Sequence, residues 1–453
     1  MLLMIAKSAE VSQHPTNALK VLTERLSGQY HAVVNPLLLR QAELFGIPES
    51  RLTSSTRDKF RQAAYMPDDN VIAAEMYAKG SILIAIRLIE ATSSRPRRGA
   101  DGKMARQEVT YRAISVAYAG PAIDDRVISE FESHVKDLWD ADLVEIKAAS
   151  RKLEEIEQVS QGGRAECPTE QDILCANILS DRSTRVLAVA IKSSSGLLLS
   201  DAPKQIPQKE RGRLDEVVKS LADAGVVAAE IVVICSKTSA QVNRVPSIEV
   251  LASLDEHGIR CSCGRKLSEE RTEEALSVTD YGRVMLDGSR WLSVLVLHHL
   301  MDLGVPIGSI RMEQEYAGEE IDCIADVYGR LVLFELKDKQ FNLGNAYSFG
   351  AKVGIFRPDY PVIITTEKVG SDAREHFARS MQRGRRSPRY LSGDGDAAES
   401  MQFIEGITNL RPGLEDLLTS LAIEAFAPIT QSALNFATGS PAAILAAWSG
   451  RNL

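Results

Sequence analysis

Two apolar-rich runs, Glu320 to Val327 and Arg330 to Lys337, flank the pair Tyr328-Gly329, and this arrangement constrains the chain more than any other feature. An X-Gly pair between two such runs marks a β-hairpin. With a two-residue loop, Asp322 stands directly across from Glu335, and directly opposed residues have Cβ atoms about 4.5–5.5 Å apart. Alternation along a strand puts Glu335 and Lys337 on one face, while Val332, Phe334 and Leu336 turn to the other. Two acids and a lysine therefore gather on one patch. Opposed carboxylates repel, and a divalent cation between them removes the conflict. Hard oxygen ligands suit Mg²⁺ or Mn²⁺, which lowers the pKa of bound water and offsets charge on a phosphoryl oxygen. Lys337 would then orient the attacking water or steady an anionic transition state. The same short pattern also describes a plain amphipathic edge strand.

The elements around the hairpin have a definite order. A helix is expected from Trp291 through Leu300, another from Leu343 to Ile355, a buried strand at Pro361 to Thr365, and a helix at Ser371 to Gln382. This order resembles the restriction-endonuclease-like fold of the PD-(D/E)xK nuclease superfamily. Gly288-Ser289-Arg290-Trp291-Leu292 resembles the G-x-W-L-E opening of the first helix in some members. Glu320-Ile321-Asp322 matches the E-I-D before the second strand, Glu335-Leu336-Lys337 matches (D/E)xK, and Val362 to Thr366 resembles the late core strand.

The resemblance covers about 140 residues. It implies that Asp322 and Glu335 are ligands of Mg²⁺ or Mn²⁺, assisted by the backbone carbonyl of Leu336. Lys337 would be the catalytic lysine, with Glu320 and Gln340 as auxiliary groups. The chain departs from the pattern at Leu292-Ser293, where many members carry a glutamate. Glu313 or Glu315 would replace it, or the ion would be held by fewer ligands. The implied activity is metal-dependent endonucleolytic hydrolysis of phosphodiester bonds, in DNA rather than RNA, with a role in bacterial or antiviral defence. Two other readings stay open: a catalytically degenerate nucleic-acid-binding protein, and an effector nuclease gated by a nucleotide sensor.

With 453 residues, the chain is too long for one ordinary core. The expected class is multi-domain α/β. Residues 1–160 read as a mainly helical region for dimerisation or recognition. Within it, Leu19, Leu22 and Leu26, and then Ile72, Met76 and Ile82, recur near helical spacing, and a loop spans Ser93 to Lys103. Tyr111 to Tyr118 is strand-like, and a long amphipathic helix runs from Asp124 to Val159. Residues 164–276 read as a small α/β unit. Its strands are at Val186 to Ile191 and Ile231 to Ile234, and its helices at Leu214 to Ala224 and Ser247 to Asp255. Residues 281–421 are the nuclease-like domain, built on a mixed central sheet, and 422–453 a helical tail. There is no G-x-G-x-x-G or Walker-type loop, which weighs against dinucleotide redox chemistry and nucleotide hydrolysis.

Cys261-Ser262-Cys263-Gly264, with Cys235 and His257 upstream, resembles half of a Zn²⁺ site. The alternative is two ordinary buried thiols. Arg379, Arg383, Arg385, Arg386 and Arg389 cluster around Gly384 and Pro388, suiting either contact with phosphates or a solvated loop. The net charge of −8 argues against a uniformly basic surface but leaves room for a local groove. Six cysteines make no disulfide framework, and no apolar run is long enough to span a bilayer. The apolar start is followed by Lys7, the reverse of a signal peptide's charge order. A cytoplasmic protein without membrane contact, and a homodimer through the long helix, are the expectations.

Overall fold

The computed structural model describes residues 1–34, 36–37, 70–98, 104–146, 153–156, 165–316, 318–385 and 401–434. The class is mixed α/β, with three sheets among the described residues. The chain divides into two compact units. One comprises Met1–Leu153, Asp326–Arg330 and Pro412–Leu453, and the other Glu154–Ala325 and Leu331–Arg411.

The first unit is built on a six-stranded antiparallel sheet rather than the mainly helical region expected. Its strands are β1 (Leu3–Glu10), β2 (His31–Ala32), β3 (Val71–Lys79), β4 (Ile82–Arg98), β5 (Met104–Gly120) and β6 (Val144–Glu145), in the order β2-β3-β4-β5-β1-β6. The run from Ile82 is apolar at every position because both faces of β4 are covered. Ile82, Ile84 and Ile86 join one core, with Tyr77, Tyr118 and Phe131, while Leu83 and Ala85 join another, with Met76 and Phe426. A strand buried on both sides loses its period-two signature, and β-branched residues then mark it better than spacing does. The first part of the expected loop, Ser93 to Arg98, falls within β4, which pairs with β5 in register out to Arg98↔Met104; residues 99–103 lie outside the described residues.

Two helices, α1 (Ala18–Leu26) and α2 (Asp125–Trp139), lie on the first of those cores. The long helix expected to Val159 stops at Trp139, since Asp140 takes a left-handed conformation (φ 51°) and its N–H closes on Lys136 O at 2.8 Å. Ile128, Phe131, Val135 and Trp139 form its buried stripe. Further along the expected helix, residues 153–156 form a helical turn with Leu153 and Ile156 buried, while 147–152 and 157–164 lie outside the described residues.

In the second unit, an antiparallel sheet has the order β7-β10-β8-β9, from Leu197–Leu198 (β7), Val227–Ile234 (β8), Gln241–Val245 (β9) and Arg271–Val278 (β10). Its helices are α3 (Glu170–Ser180), α4 (Arg182–Ser193), α5 (Leu214–Asp223), α6 (Ile248–Glu256) and α7 (Asp280–Leu286). Val186 to Ile191, expected as a strand, lies within α4. Ser183, Thr184, Leu187, Ala188 and Ile191 are its buried residues, a helical spacing that the β-branched content masks. No domain boundary falls near residue 280: Thr279 donates its N–H to Val226 O at 3.1 Å, and a Cβ on Gly282 would stand 2.1 Å from that same oxygen.

The five-stranded mixed sheet has the order β11-β12-β13-β14-β15, from Ile310–Tyr316 (β11), Glu319–Val327 (β12), Arg330–Lys337 (β13), Tyr360–Thr365 (β14) and Gln402–Glu405 (β15). β11 and β12 are antiparallel, whereas β14 runs parallel to both β13 and β15. The accompanying helices are α8 (Arg290–Asp302), α9 (Leu343–Phe356) and α10 (Ser371–Arg385); a further helix, α11 (Leu410–Leu434), belongs from Pro412 onward to the first unit, where Ala422 and Phe426 join the core with Met76 and Leu83. The β12–β13 connection is the expected two-residue loop. Tyr328 (φ 54°) and Gly329 (φ 78°) are both left-handed, as a type I′ turn requires. No helix among the described residues is long and apolar enough to cross a membrane.

Candidate active site

Three of the residues singled out by the hairpin meet at one point. Lys337 Nζ lies 2.8 Å from Glu335 Oε1 and 3.6 Å from Asp322 Oδ2. Asp322 Oδ2 also accepts a hydrogen bond of 2.7 Å from the Leu336 backbone N–H, which fixes the carboxylate against β13. The contact shown for Leu336 is thus through its N–H, not the carbonyl that the family pattern uses.

A fourth member was not foreseen. Lys352 on α9 donates to Glu335 Oε2 at 2.8 Å and lies 4.0 Å from Asp322 Oδ1. It sits on the inward stripe of α9 with Ala346, Phe349 and Phe356. A lysine on an otherwise apolar helical stripe was the sequence signal for it. Both oxygens of Glu335 therefore face an ammonium, and two acids are balanced by two lysines. The side chains of Glu335 and Lys352 are 3% and 7% exposed, that of Asp322 16% and that of Lys337 25%, so the group opens to solvent at Lys337.

Burial, and then the Glu335 charge, raises the Asp322 carboxyl above its ordinary value, against the pull of Lys337 and the Leu336 N–H. Burial works to lower the Lys337 amine, but the charges of Asp322 and Glu335 outweigh it and the net shift is upward. Lys337 is therefore a cation and hydrogen-bond donor at neutral pH, not a base. The paired carboxylates are hard oxygen donors of the type Mg²⁺ or Mn²⁺ takes.

The strand end beyond the lysine is held by a network that no motif in the chain announces. Asp338 accepts from Trp291 Nε1 at 3.1 Å, Arg185 Nε at 2.9 Å and Thr366 Oγ1 at 3.1 Å. The Arg185 guanidinium stacks 5.0 Å from the Trp291 ring. Burial raises the Asp338 carboxyl in spite of Arg185. Trp291, in the Gly288 to Leu292 segment, thus anchors the residue after the lysine.

The remaining acids do not join. Glu320, Glu313, Glu315 and Gln340 are all exposed, and Leu292 is fully buried in α8. Glu320 faces Glu315 across β11 and β12. Among the described residues, no third acidic donor completes a cluster with Asp322 and Glu335. Arg379 is exposed and paired with Glu375 one turn away. The side chains of Arg383 and Arg385, and Arg386 and Arg389 altogether, lie outside the described residues.

A second gathering of donors lies in the same unit. Cys235, Cys261, Cys263 and Glu270 bring one ligand atom each to within 4.8 Å of one another, a buried Cys/Glu cluster that could hold a metal ion. His257, expected as a ligand, is not part of it. Its Nδ1 bonds Ser253 O one turn back on α6, at 2.6 Å, and the residue is exposed. Glu270, seven residues beyond Cys263, takes the place expected for the histidine.

No protein-family model matches this chain, and no curated protein matches it at a meaningful level of similarity.

Proposed function

We propose that the second unit is a metal-dependent nuclease whose reactive groups are Asp322, Glu335 and Lys337. The reading is supported above all by one observation: Asp322 meets Glu335 and Lys337, thirteen and fifteen residues further along the chain, around the Lys337 ammonium, as strand arithmetic expects. Asp322 and Glu335 would hold Mg²⁺ or Mn²⁺, which would supply a bound water of lowered pKa and a Lewis acid at a phosphoryl oxygen. Lys337, the most exposed of the four groups, presents its ammonium to an incoming phosphodiester and offsets charge in the transition state. The Leu336 N–H keeps Asp322 in place, and Lys352 holds the far oxygen of Glu335. Nucleic acid, with DNA ahead of RNA, is the substrate class, and a role in bacterial defence follows from the family resemblance.

A second reading is a nucleic-acid-binding protein that has lost catalysis. It is favoured by the two lysines that already neutralise the acid pair, and by the absence of a third acid among the described residues. The separating experiment is cleavage of supercoiled DNA, and of RNA, by the full chain with Mg²⁺ or Mn²⁺. Asp322→Asn and Lys337→Ala are each expected to lower the rate by roughly 10²–10³-fold. A wild-type protein no faster than these variants, on either nucleic acid and with either metal, removes the nuclease reading. Binding without cleavage would establish the second.

A further inference from the structure

Cys235 directly follows β8 and belongs to a small apolar core with Val233, Val245, Leu251 and Leu267. Cys261 and Cys263 lie on a tight turn closed by Cys261 N–H to Arg265 O at 3.0 Å and Gly264 N–H to Cys261 O at 2.8 Å, with an Arg260↔Lys266 bridge at its base. Gly264 has φ +90°, a conformation that glycine takes without strain and that lets the chain fold back directly after the second cysteine. Glu270 stands just before β10. Its Oε2 accepts the Ser236 N–H at 2.6 Å, and its Oε1 faces Cys263 Sγ at 2.8 Å. The glutamate is only 6% exposed, and among the described residues no lysine, arginine or histidine forms an ion pair with it.

A buried carboxylate without a counter-charge is costly, and three thiols around it supply none. A metal ion bound to all four groups would set a dication directly against that carboxylate. We propose that Cys235, Cys261, Cys263 and Glu270 form a structural Zn²⁺ site that pins the loop of residues 257–270 to the end of β8. Four protein ligands, three of them sulfur, favour Zn²⁺ over Mg²⁺ or Ca²⁺ and leave no open position for chemistry. Neighbouring donors in a tetrahedral zinc–thiolate site are about 3.8 Å apart, given Zn–S bonds of about 2.3 Å, so the cluster need contract by no more than ~1 Å. On binding, the three thiols release their protons to the buffer and the carboxylate contributes one oxygen. The Ser236 N–H orients that carboxylate, as outer partners of metal ligands do. Lys237, Arg260, Arg265 and Lys266, within three residues of the ligands in sequence, are exposed, and none of them forms an ion pair with Glu270.

The site does not depend on the nuclease reading, and its test does not use cleavage. The full chain is stripped of metal, titrated with Zn²⁺, and in parallel loaded with Co²⁺. One metal per chain is expected, with the thiolate-to-cobalt charge-transfer and d–d absorption of a tetrahedral sulfur-rich site. Glu270→Gln should weaken zinc binding by more than the roughly 10–100-fold that losing an outer partner costs. Cys261→Ser should abolish the charge-transfer band, and His257→Ala should change nothing. A wild-type protein that stays metal-free after reconstitution overturns the proposal, even if Cys261→Ser fails to fold. A loss of metal in His257→Ala but not in Glu270→Gln would overturn the ligand set.

Discussion

Two places in the second unit gather donor atoms from separated stretches of chain, and they handle the resulting charge in opposite ways. At Asp322 and Glu335 the protein brings its own cations: two carboxylates meet two ammonium groups. At Cys235, Cys261, Cys263 and Glu270 it brings none, and a buried carboxylate faces three thiols. The first group is tolerable without metal and opens toward solvent at Lys337; the second is closed and left wanting a positive charge. Hard oxygens on a partly open patch suit an exchangeable ion and a substrate, whereas soft sulfurs around a buried point suit a permanent one.

The largest test of this contrast is Lys352→Met. Taking one ammonium from a buried pair leaves Glu335 half-compensated, which should lower stability by roughly 3–5 kcal/mol, read as a drop in urea midpoint. Added Mg²⁺ should then stabilise the variant more than it stabilises wild type, because the ion replaces the lost charge. A variant as stable as wild type would mean that Lys352 is not a necessary counter-ion, and the contrast would fail. A smaller effect is expected from Arg185→Ala. It strips one donor from Asp338 while Trp291 and Thr366 remain, so a loss of about 1–3 kcal/mol is expected. If β13 is positioned through Asp338, cleavage should fall with zinc content unchanged; equal losses of both would point to general loosening.

The smallest change lies outside both donor groups. Burial alone would raise the Asp181 carboxyl, but the Thr184 N–H and hydroxyl that it accepts, with the Arg213 guanidinium, hold it below its ordinary range. Asp181 also caps the start of α4. A carboxylate depressed in the folded state contributes stability that is present above its unfolded pKa and lost as pH falls through the lower folded value. Asp181→Ala should cost about 1 kcal/mol at neutral pH and flatten the acid limb of the stability profile, with metal content unaltered. An unchanged acid limb would show that this cap carries none of the acid sensitivity.

What could be read in advance follows the same line. The hairpin was legible because a two-residue turn and strict alternation fix which residues face each other, so Asp322, Glu335 and Lys337 came together from spacing alone. Lys352 was only half legible: helical spacing puts it on the apolar stripe of α9 with Ala346, Phe349 and Phe356, but which strand that stripe meets depends on how α9 lies against the sheet. Glu270 was hidden for a similar reason: a carboxylate seven residues from a cysteine has no motif, and only the return of the chain to β10 brings it back. In the first unit, the apolar run at Ile82 to Ile86 concealed its strand because both faces are covered. The β-branched Val186 and Val189 made a helix look extended, although the buried Leu187, Ala188 and Ile191 follow helical spacing.

Lys352 reaches Glu335 from a helix, not from the ribbon that carries the acids. The balance of charge at that spot is therefore a report on whether the helix is docked. If α9 lifts away, one of two compensating ammoniums leaves with it and the paired carboxylates push on each other. Loosening of that one helix is therefore enough to unbalance the acid pair, and on the nuclease reading proposed above a partly opened molecule would cleave poorly.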